Sequence, residues 1–430
     1  MHILHGALWT CGGGFAGSKL FGFGIKMPIF AGKSKHANIM TAKKVYLDNA
    51  ASTPMLPSAF EAMKPYFLDY AGNPSSTHSH GRELRGAIEQ SRRTIANCLG
   101  AQPSEIFFTS GGTEADNIAI NGAVYACGVK RIISTQIEHH AVSHTIEALE
   151  KDGKVQVEWL SVSETGRIDH SELESTLKHS DAKTLVCIMH ANNEIGTLND
   201  LAGIGKMCEE HGALFHSDTV QTVGHESFDF ANLPVHTAAA SSHKFYGPKG
   251  VGFLYVKQGT GICSHMQGGS QERGMRPGTE NVAAIAGMAA ALQYCTNNLE
   301  TKNAHLWSLK ERMKAGLEQA IPGVQFNGET ARGASLPTVL NVAPPCPEGD
   351  AMLIFSLDLQ GVSASGGSAC SSGAHQGSHV LHNLGYKDQR ARNSVRFSFG
   401  IQNTQEDVDF AVKQLTDILV PSTAPNVASV

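Results

Sequence analysis

Lys244 stands in an unusual place for a lysine. An apolar run, Val235 to Ala240, leads into Ser241-Ser242-His243-Lys244, and Phe245-Tyr246-Gly247-Pro248-Lys249-Gly250 comes next. An amine placed after hydroxyls and an imidazole, and before a Gly/Pro turn, is poorly suited to packing. It is suited to carrying a carbonyl cofactor as a Schiff base while the neighbouring donors hold that cofactor's phosphate. Taken alone, Lys244 reads as one more solvated lysine. Other residues shift that balance.

Ser110-Gly111-Gly112-Thr113-Glu114 comes after a run ending at Phe108 and opens a helical pattern. Free N–H groups at a helix start, with Gly112 allowing close approach and Thr113 adding a hydroxyl, make a phosphate cradle. An ordinary N-cap is the plainer alternative. His139, in Gln136-Ile137-Glu138-His139-His140, lies just past a strand. A flat imidazole there can stack on an aromatic ring and move protons. Asp218 closes the run Ala213 to Ser217, and Gln221 lies one helical turn on. The carboxylate can pair with a pyridinium nitrogen, or simply cap a helix. Gln221 can donate to a ring oxygen. Asn193, in Asn192-Asn193-Glu194-Ile195-Gly196, can fix a ring oxygen or a substrate carboxylate, or form an Asx turn.

Two residues lie further along. Arg396 interrupts the apolar strand Ser394 to Phe399. A guanidinium there wants a planar anion, and an α-carboxylate fits bidentately; a buried salt bridge is the alternative. Cys370 sits among small residues, Ser363-Ala364-Ser365-Gly366-Gly367-Ser368-Ala369-Cys370-Ser371-Ser372-Gly373, with nothing for a core to pack. A thiol in such a loop suits a nucleophile that swings into a site.

The elements that must position these groups alternate strand and helix. Strands are expected at Glu105–Phe108, Arg131–Ser134, Val155–Leu160, Thr184–Met189, Ala213–His216 and Gly252–Val256. Helices are expected at Gly81–Leu99, Thr113–Ala126, Ala141–Asp152 and Leu201–His211. This is the pattern of βαβ units: an α/β protein with a mostly parallel sheet flanked by helices, its ligand beyond the carboxyl ends of the strands. A helix-rich stretch, 281–320, leads to a second set that reads as a smaller α+β domain. We expect a large domain at 54–300, a small domain made of 44–53 and 301–420, an extension at 1–43 outside the core and a loose tail at 421–430. The first 47 residues hold no acidic residue and no Arg, so the extension does not read as a targeting peptide; Met27 or Met40 is an expected start.

Composition narrows the function. With 430 residues, 17% charged residues and net charge -5, the chain lacks the basic excess of a nucleic-acid or membrane-surface binder. No apolar run is long enough to span a bilayer. Nine cysteines without a CxxC pair argue against a disulfide framework or a metal site and for a reducing, cytoplasmic setting.

Several segments together carry a family resemblance: Val45-Tyr46-Leu47-Asp48-Asn49-Ala50-Ala51-Ser52-Thr53-Pro54, Gly72-Asn73-Pro74-Ser75-Ser76, Ser110 to Asn117, Asn192 to Gly196, Ser217 to Gln221, Ser241 to Gly250, Arg273 to Thr279 and Gly366 to Ser371. In order and spacing, over about residues 44–420, the chain resembles the cysteine desulfurases, class V pyridoxal-phosphate enzymes of fold type I, and is closest in pattern to the long-loop NifS/IscS group. The resemblance implies a homodimer that binds pyridoxal 5'-phosphate and takes sulfur from L-cysteine, leaving L-alanine. It implies that Lys244 carries the cofactor, His139 stacks on the ring, and Asp218 and Gln221 meet its nitrogen and phenolate oxygen. Gly112, Thr113, Ser241 and His243 would bind phosphate, and Thr279 would reach the phosphate of the partner subunit. Asn193 and Arg396 would hold the substrate carboxylate, and Cys370 would accept the sulfur as a persulfide. That sulfur would pass to an acceptor protein, an iron–sulfur scaffold or a carrier for tRNA thiolation. The residues after Cys370, Ser371-Ser372-Gly373-Ala374-His375-Gln376, depart from the family's usual Ala-Ser-Leu-Glu-Pro, which is expected to alter acceptor choice. A selenocysteine lyase or another class V enzyme such as an aminotransferase is the alternative; an aminotransferase would have no use for Cys370.

Overall fold

Central strands buried on both faces explain the architecture. In the computed structural model, which describes residues 43–345, 352–367 and 377–419, twelve strands form: β1 Val45–Tyr46, β2 Ile106–Thr109, β3 Arg131–Thr135, β4 Gln156–Leu160, β5 Thr184–Cys187, β6 Leu214–Asp218, β7 Thr237–Ser241, β8 Gly252–Val256, β9 Gln325–Asn327, β10 Val339–Ala343, β11 Val362–Ser363 and β12 Val395–Ser398. Residues 1–42 of the expected extension, the 421–430 tail and Cys370 lie outside the described residues.

Strands β2, β8, β7, β6, β5, β3 and β4, in that spatial order, make one seven-stranded sheet. Only β8 runs against the others; it is antiparallel to both β2 and β7, while β7, β6, β5, β3 and β4 pair in parallel. Its inner strands are apolar almost without interruption because both faces are covered. Ile133, Val186, Phe215 and Phe253 point into one core, with Ile88 and Ile95 of helix Ser79–Cys98 and with Ile285 and Met288 of helix Val282–Asn297. Their neighbours Ile132, Leu185 and Leu254 point into the other, with Ile118 and Ile120 of helix Gly112–Tyr125 and Val142 and Ile146 of helix His140–Lys151. A one-residue slip would exchange the two cores.

A three-stranded antiparallel sheet, in the order β12, β10, β9, forms a second region, and β1 pairs in parallel with β11 beside it. Helices Leu299–Ala320 and Gln405–Leu419 cover it, and Leu309, Met313, Leu340, Phe397 and Leu415 share its core.

The expected elements recur with ends displaced by a residue or two. The expected strand to Met189 stops at Cys187, and Met189 N–H donates instead to the Glu138 carboxylate at 2.9 Å. Four short helices were not anticipated: Pro57–Met63, Pro65–Leu68, His170–Lys178 and Asp388–Asn393. They are too brief for a 3.6-residue period to stand out, although proline at the first turn of the first two is a helix-start signal. Among the described residues no helix is long and apolar enough to cross a membrane.

Candidate active site

Five parallel strands end at the same edge of the large sheet. At or just past the ends of β2, β3, β5, β6 and β7 stand, in turn, Gly112, His139, Asn193, Asp218 with Gln221, and Ser241 with His243 and Lys244. All of these residues line one cavity of roughly 240 Å³, with Thr113, Asp116, Ala50, Ala51 and Arg396. The crevice past the carboxyl ends of a parallel sheet is where such folds bind ligands.

Lys244 sits in the short 3-10 turn Ser242–Lys244 that continues from β7. Its Nζ donates to the carbonyls of Ala50 at 2.6 Å and Ala51 at 3.0 Å. Both belong to the segment after β1, which is stitched across the site: Thr53 Oγ1 donates to His243 O, and Tyr246 N–H donates to Thr53 Oγ1.

Opposite it, Asp218 is the last residue of β6. One of its oxygens accepts from Val220 N–H at 2.9 Å, so the turn-capping alternative is realised alongside any ligand role. Burial pushes its carboxyl above the usual carboxylate range, against the pull of His139, the Val220 N–H and Lys244. A buried acid of this kind is best relieved by a cationic N–H partner. Gln221 lies in a turn rather than a helix, and its Nε2 donates to Ala50 O at 3.1 Å.

His139 caps helix His140–Lys151, its Nδ1 accepting from Ala141 N–H at 3.1 Å. That bond leaves the ring proton on Nε2. Burial lowers its pKa, which Asp218 partly offsets and Lys244 reinforces. His243 is pushed down to about 4 by burial and by Lys244, and shares a 3.2 Å hydrogen bond with Ser52 Oγ.

Helix Gly112–Tyr125 begins without a side-chain cap, so its first N–H groups are open to a ligand. Only glycine fits at 112: a Cβ there would lie 2.6 Å from Val220 Cγ2. Arg396, on β12, enters from the second region and is buried. Its Nη1 donates to Asn193 O at 2.8 Å and its Nη2 to Asp48 Oδ1 at 2.9 Å, which is the salt bridge of the plainer alternative. Its Nε is buried with no hydrogen-bond partner among the described residues.

Open N–H groups at a helix start, hydroxyls, a buried carboxylate and an amine around one cavity fit a phosphorylated, aldehyde-bearing pyridine. Thr279 is not in this cavity. It lines a second one with Ser110, Glu272, Arg276 and Glu280.

Three contributors escaped the sequence reading. Asp116 lies three residues past Thr113 on the same helix face and hydrogen-bonds His216 at 3.1 Å. Glu138 is buried directly behind His139. The Ala50 and Ala51 carbonyls hold the lysine. A spacing of three residues from Thr113 was the only sequence signal for Asp116; backbone carbonyls leave none.

Residues 45–410 match the family model described as Aminotransferase class-V. The chain is 41% identical over 379 residues to the cysteine desulfurase IscS of Clostridium botulinum (strain Hall), spanning 88% of this chain and 94% of that one. It is 42% identical over 379 residues to the cysteine desulfurase IscS of Dictyoglomus turgidum, spanning 88% and 95%. A solved NifS-like protein superposes with a TM-score of 0.79 at 34% identity, covering 87% of this chain and 99% of the other.

Proposed function

Because the chain belongs to the class-V aminotransferase family and, within it, to the cysteine desulfurases, we propose that the cavity beyond the strand ends holds pyridoxal phosphate and that its residues take sulfur from L-cysteine. The protein is an enzyme that converts L-cysteine to L-alanine and carries the sulfur away. The convergence of Lys244, Asp218 and an uncapped helix start on one cavity is the observation that carries the cofactor assignment.

Lys244 would bind the cofactor's aldehyde carbon, and Asp218 would face its ring nitrogen. Gly112, Thr113, Ser241 and His243 would hold the phosphate, His139 the ring face and Gln221 the ring oxygen. When bound, the cofactor supplies an electron sink for the bond broken at the substrate's α-carbon. Arg396 and Asn193 orient the substrate through its carboxylate, using the guanidinium N–H that is otherwise unpaired. The Lys244 amine then takes the α-proton as a general base. His139, whose Nδ1 already accepts from Ala141 N–H, has its Nε2 side left for a ligand. The Cys370 thiolate attacks the substrate sulfur. An S–S bond forms as the substrate's C–S bond breaks, so one cysteine and one thiol become one alanine and one persulfide.

The reading includes a cytoplasmic homodimer in which Thr279 serves the partner's site; its position apart from this chain's own cavity supports that assignment. It includes a sulfur-acceptor protein for iron–sulfur cluster assembly or tRNA thiolation, and no nucleic acid or membrane as a direct partner.

The test is purified protein with L-cysteine and a reductant, assayed for sulfide and alanine. Lys244→Ala should lose the cofactor's visible absorbance and at least about 10⁴-fold of activity. Cys370→Ala should keep the colour and make no sulfide. A fully active Cys370→Ala removes the thiol from the scheme; a colourless wild type free of any vitamin B6 compound removes the cofactor.

A further inference from the structure

Lys302 and His225 are buried, 5% and 4% exposed, and neither lines the active-site cavity. Lys302 lies in the first turn of helix Leu299–Ala320, and His225 in the turn that follows Gln221. The Lys302 ammonium donates to Asn303 Oδ1 at 2.8 Å and to His225 Nδ1 at 3.2 Å. The opposite ring nitrogen, Nε2, donates to the carbonyl of Lys244 at 3.0 Å. A carbonyl oxygen can only accept, so the ring proton sits on Nε2 and Nδ1 is left to accept from the ammonium. Burial and the Lys302 charge push His225 down to about 3, which keeps the ring in that neutral form. Asn303 Nδ2 donates in turn to the His225 carbonyl at 2.7 Å. Gly224 permits the close approach of the two segments: it has φ +81°, and a Cβ there would lie 2.6 Å from Phe245 Cβ.

Lys244 is thereby held at both ends. Its amine donates to the Ala50 and Ala51 carbonyls, and its own carbonyl is held by His225. The backbone just beyond needs such a hold, because Tyr246 has φ +67°, a left-handed conformation unusual for an aromatic residue. An amine that bonds to a carbonyl carbon gives up donors it now spends on Ala50 and Ala51, and the main-chain hold remains. A buried ammonium with two neutral acceptors is costly to keep for a carbonyl that water could satisfy. An ammonium on one ring nitrogen does, however, strengthen the other nitrogen as a donor.

We propose that His225, braced by Lys302, is a positioning residue for Lys244: the pair pins the Lys244 carbonyl and so fixes where its amine meets an aldehyde in the cavity. The consequence rests on the cofactor reading above; the geometry does not. An amine displaced by about an ångström can lose roughly 10²-fold in rate.

The experiment compares wild type, His225→Leu/Lys302→Met, Lys302→Met and His225→Gln, each as the full chain stripped of cofactor. The first readout is the rate at which visible absorbance appears on mixing with pyridoxal 5'-phosphate. The second is the Kd of pyridoxine 5'-phosphate, which has no aldehyde. The third is acetylation of Lys244 by acetic anhydride relative to exposed Lys206, read by peptide mass spectrometry. The double variant replaces the polar pair by apolar side chains, so no ammonium is left stranded. Its absorbance should appear at least about tenfold more slowly and its Lys244 acetylation change at least about threefold, with pyridoxine phosphate affinity within about threefold of wild type. Lys302→Met should move capture and acetylation in the same direction by a smaller factor, because His225 still donates. His225→Gln should return both to within about twofold of wild type, since its amide donates to the carbonyl and accepts from Lys302. Wild-type capture and acetylation in the double variant would overturn the proposal. So would a loss of pyridoxine phosphate affinity as large as the loss of capture rate, which marks a collapsed cavity rather than a misplaced amine. If the double variant does not fold, wild-type values in Lys302→Met overturn it instead. If wild type itself captures no pyridoxal phosphate, the cofactor reading fails, while Lys244 acetylation still judges the clamp.

Discussion

Arg92 and Arg396 are the same residue at nearly the same burial, 2% and 1% exposed, and are treated in opposite ways. Arg92, on helix Ser79–Cys98, is closed on every side. Its two terminal nitrogens each meet a Glu272 oxygen at 2.7 Å, Nη1 also reaches Ile106 O, Nε meets Glu89, and the plane lies over the Phe108 ring. Arg396 has one carbonyl, one oxygen of Asp48 and an Nε with no partner among the described residues, and it borders the cavity. The fold saturates the Arg92 guanidinium, whereas Arg396 keeps a donor in reserve beside the cavity. The region between helix Ser79–Cys98 and β2 is finished without a ligand, and the edge of the sheet is not.

The largest effect should come from breaking the closed pair. Arg92→Leu leaves the Glu272 carboxylate buried with only Phe108 N–H for company, and should cost about 3–5 kcal/mol of unfolding free energy in urea melts. KM for L-cysteine should stay at the wild-type value in the folded fraction. A loss below about 1 kcal/mol would mean that the pair is not what holds this region.

Arg396→Lys should do the reverse. Lysine keeps the charge but not the fork, so the bidentate grip is lost. KM for L-cysteine should rise about 10²-fold, equivalent to about 2.7 kcal/mol, with kcat within about threefold and the urea midpoint little changed. If stability falls as for Arg92 while KM holds, the Asp48 bridge is the purpose of Arg396, and the contrast between the two arginines disappears.

The same contrast explains what could be read in advance. Lys244, Asp218 and His139 could be singled out because each stands where an apolar strand ends and the chain turns, the edge where such a sheet binds ligands. The two faces of the large sheet were not legible, because strands buried on both sides lack alternation in polarity; only the folded arrangement separates Ile132 from Ile133. Residues that act on other residues also escaped. Asp116 and Glu138 are coupled to Asp218 by charge, and Lys244 donates to the carbonyls of two alanines. Thr279 was reached only through resemblance, and this chain alone gives it a different cavity. The placement of Cys370 lies outside the described residues.

The most gradual effect concerns Glu138, a buried carboxyl that, unlike Glu272, has no guanidinium partner among the described residues. It accepts from Met189 N–H and Thr135 Oγ1 through one oxygen, and its other oxygen has no hydrogen-bond partner among the described residues. Burial pushes it from 4.5 up to about 8, with the charge of Asp218 adding to the rise. Between those values the folded chain keeps a proton that the unfolded chain has released. Its contribution to stability is therefore complete below about pH 4.5 and is lost as pH rises toward 8, at no more than about 1.4 kcal/mol per pH unit. Buried histidines work the other way: His216 and His243, both pushed down to about 4, favour the folded chain as pH rises through 4 to 6.5. The total slope thus mixes signs, and only a difference isolates Glu138. Urea melts of cofactor-free wild type and Glu138→Gln from pH 5 to 8 should diverge steadily, with the variant gaining relative stability at the alkaline end. Parallel curves would mean that the carboxyl is ionised throughout, and that a buried anion behind His139 is tolerated without the kind of partner Glu272 has.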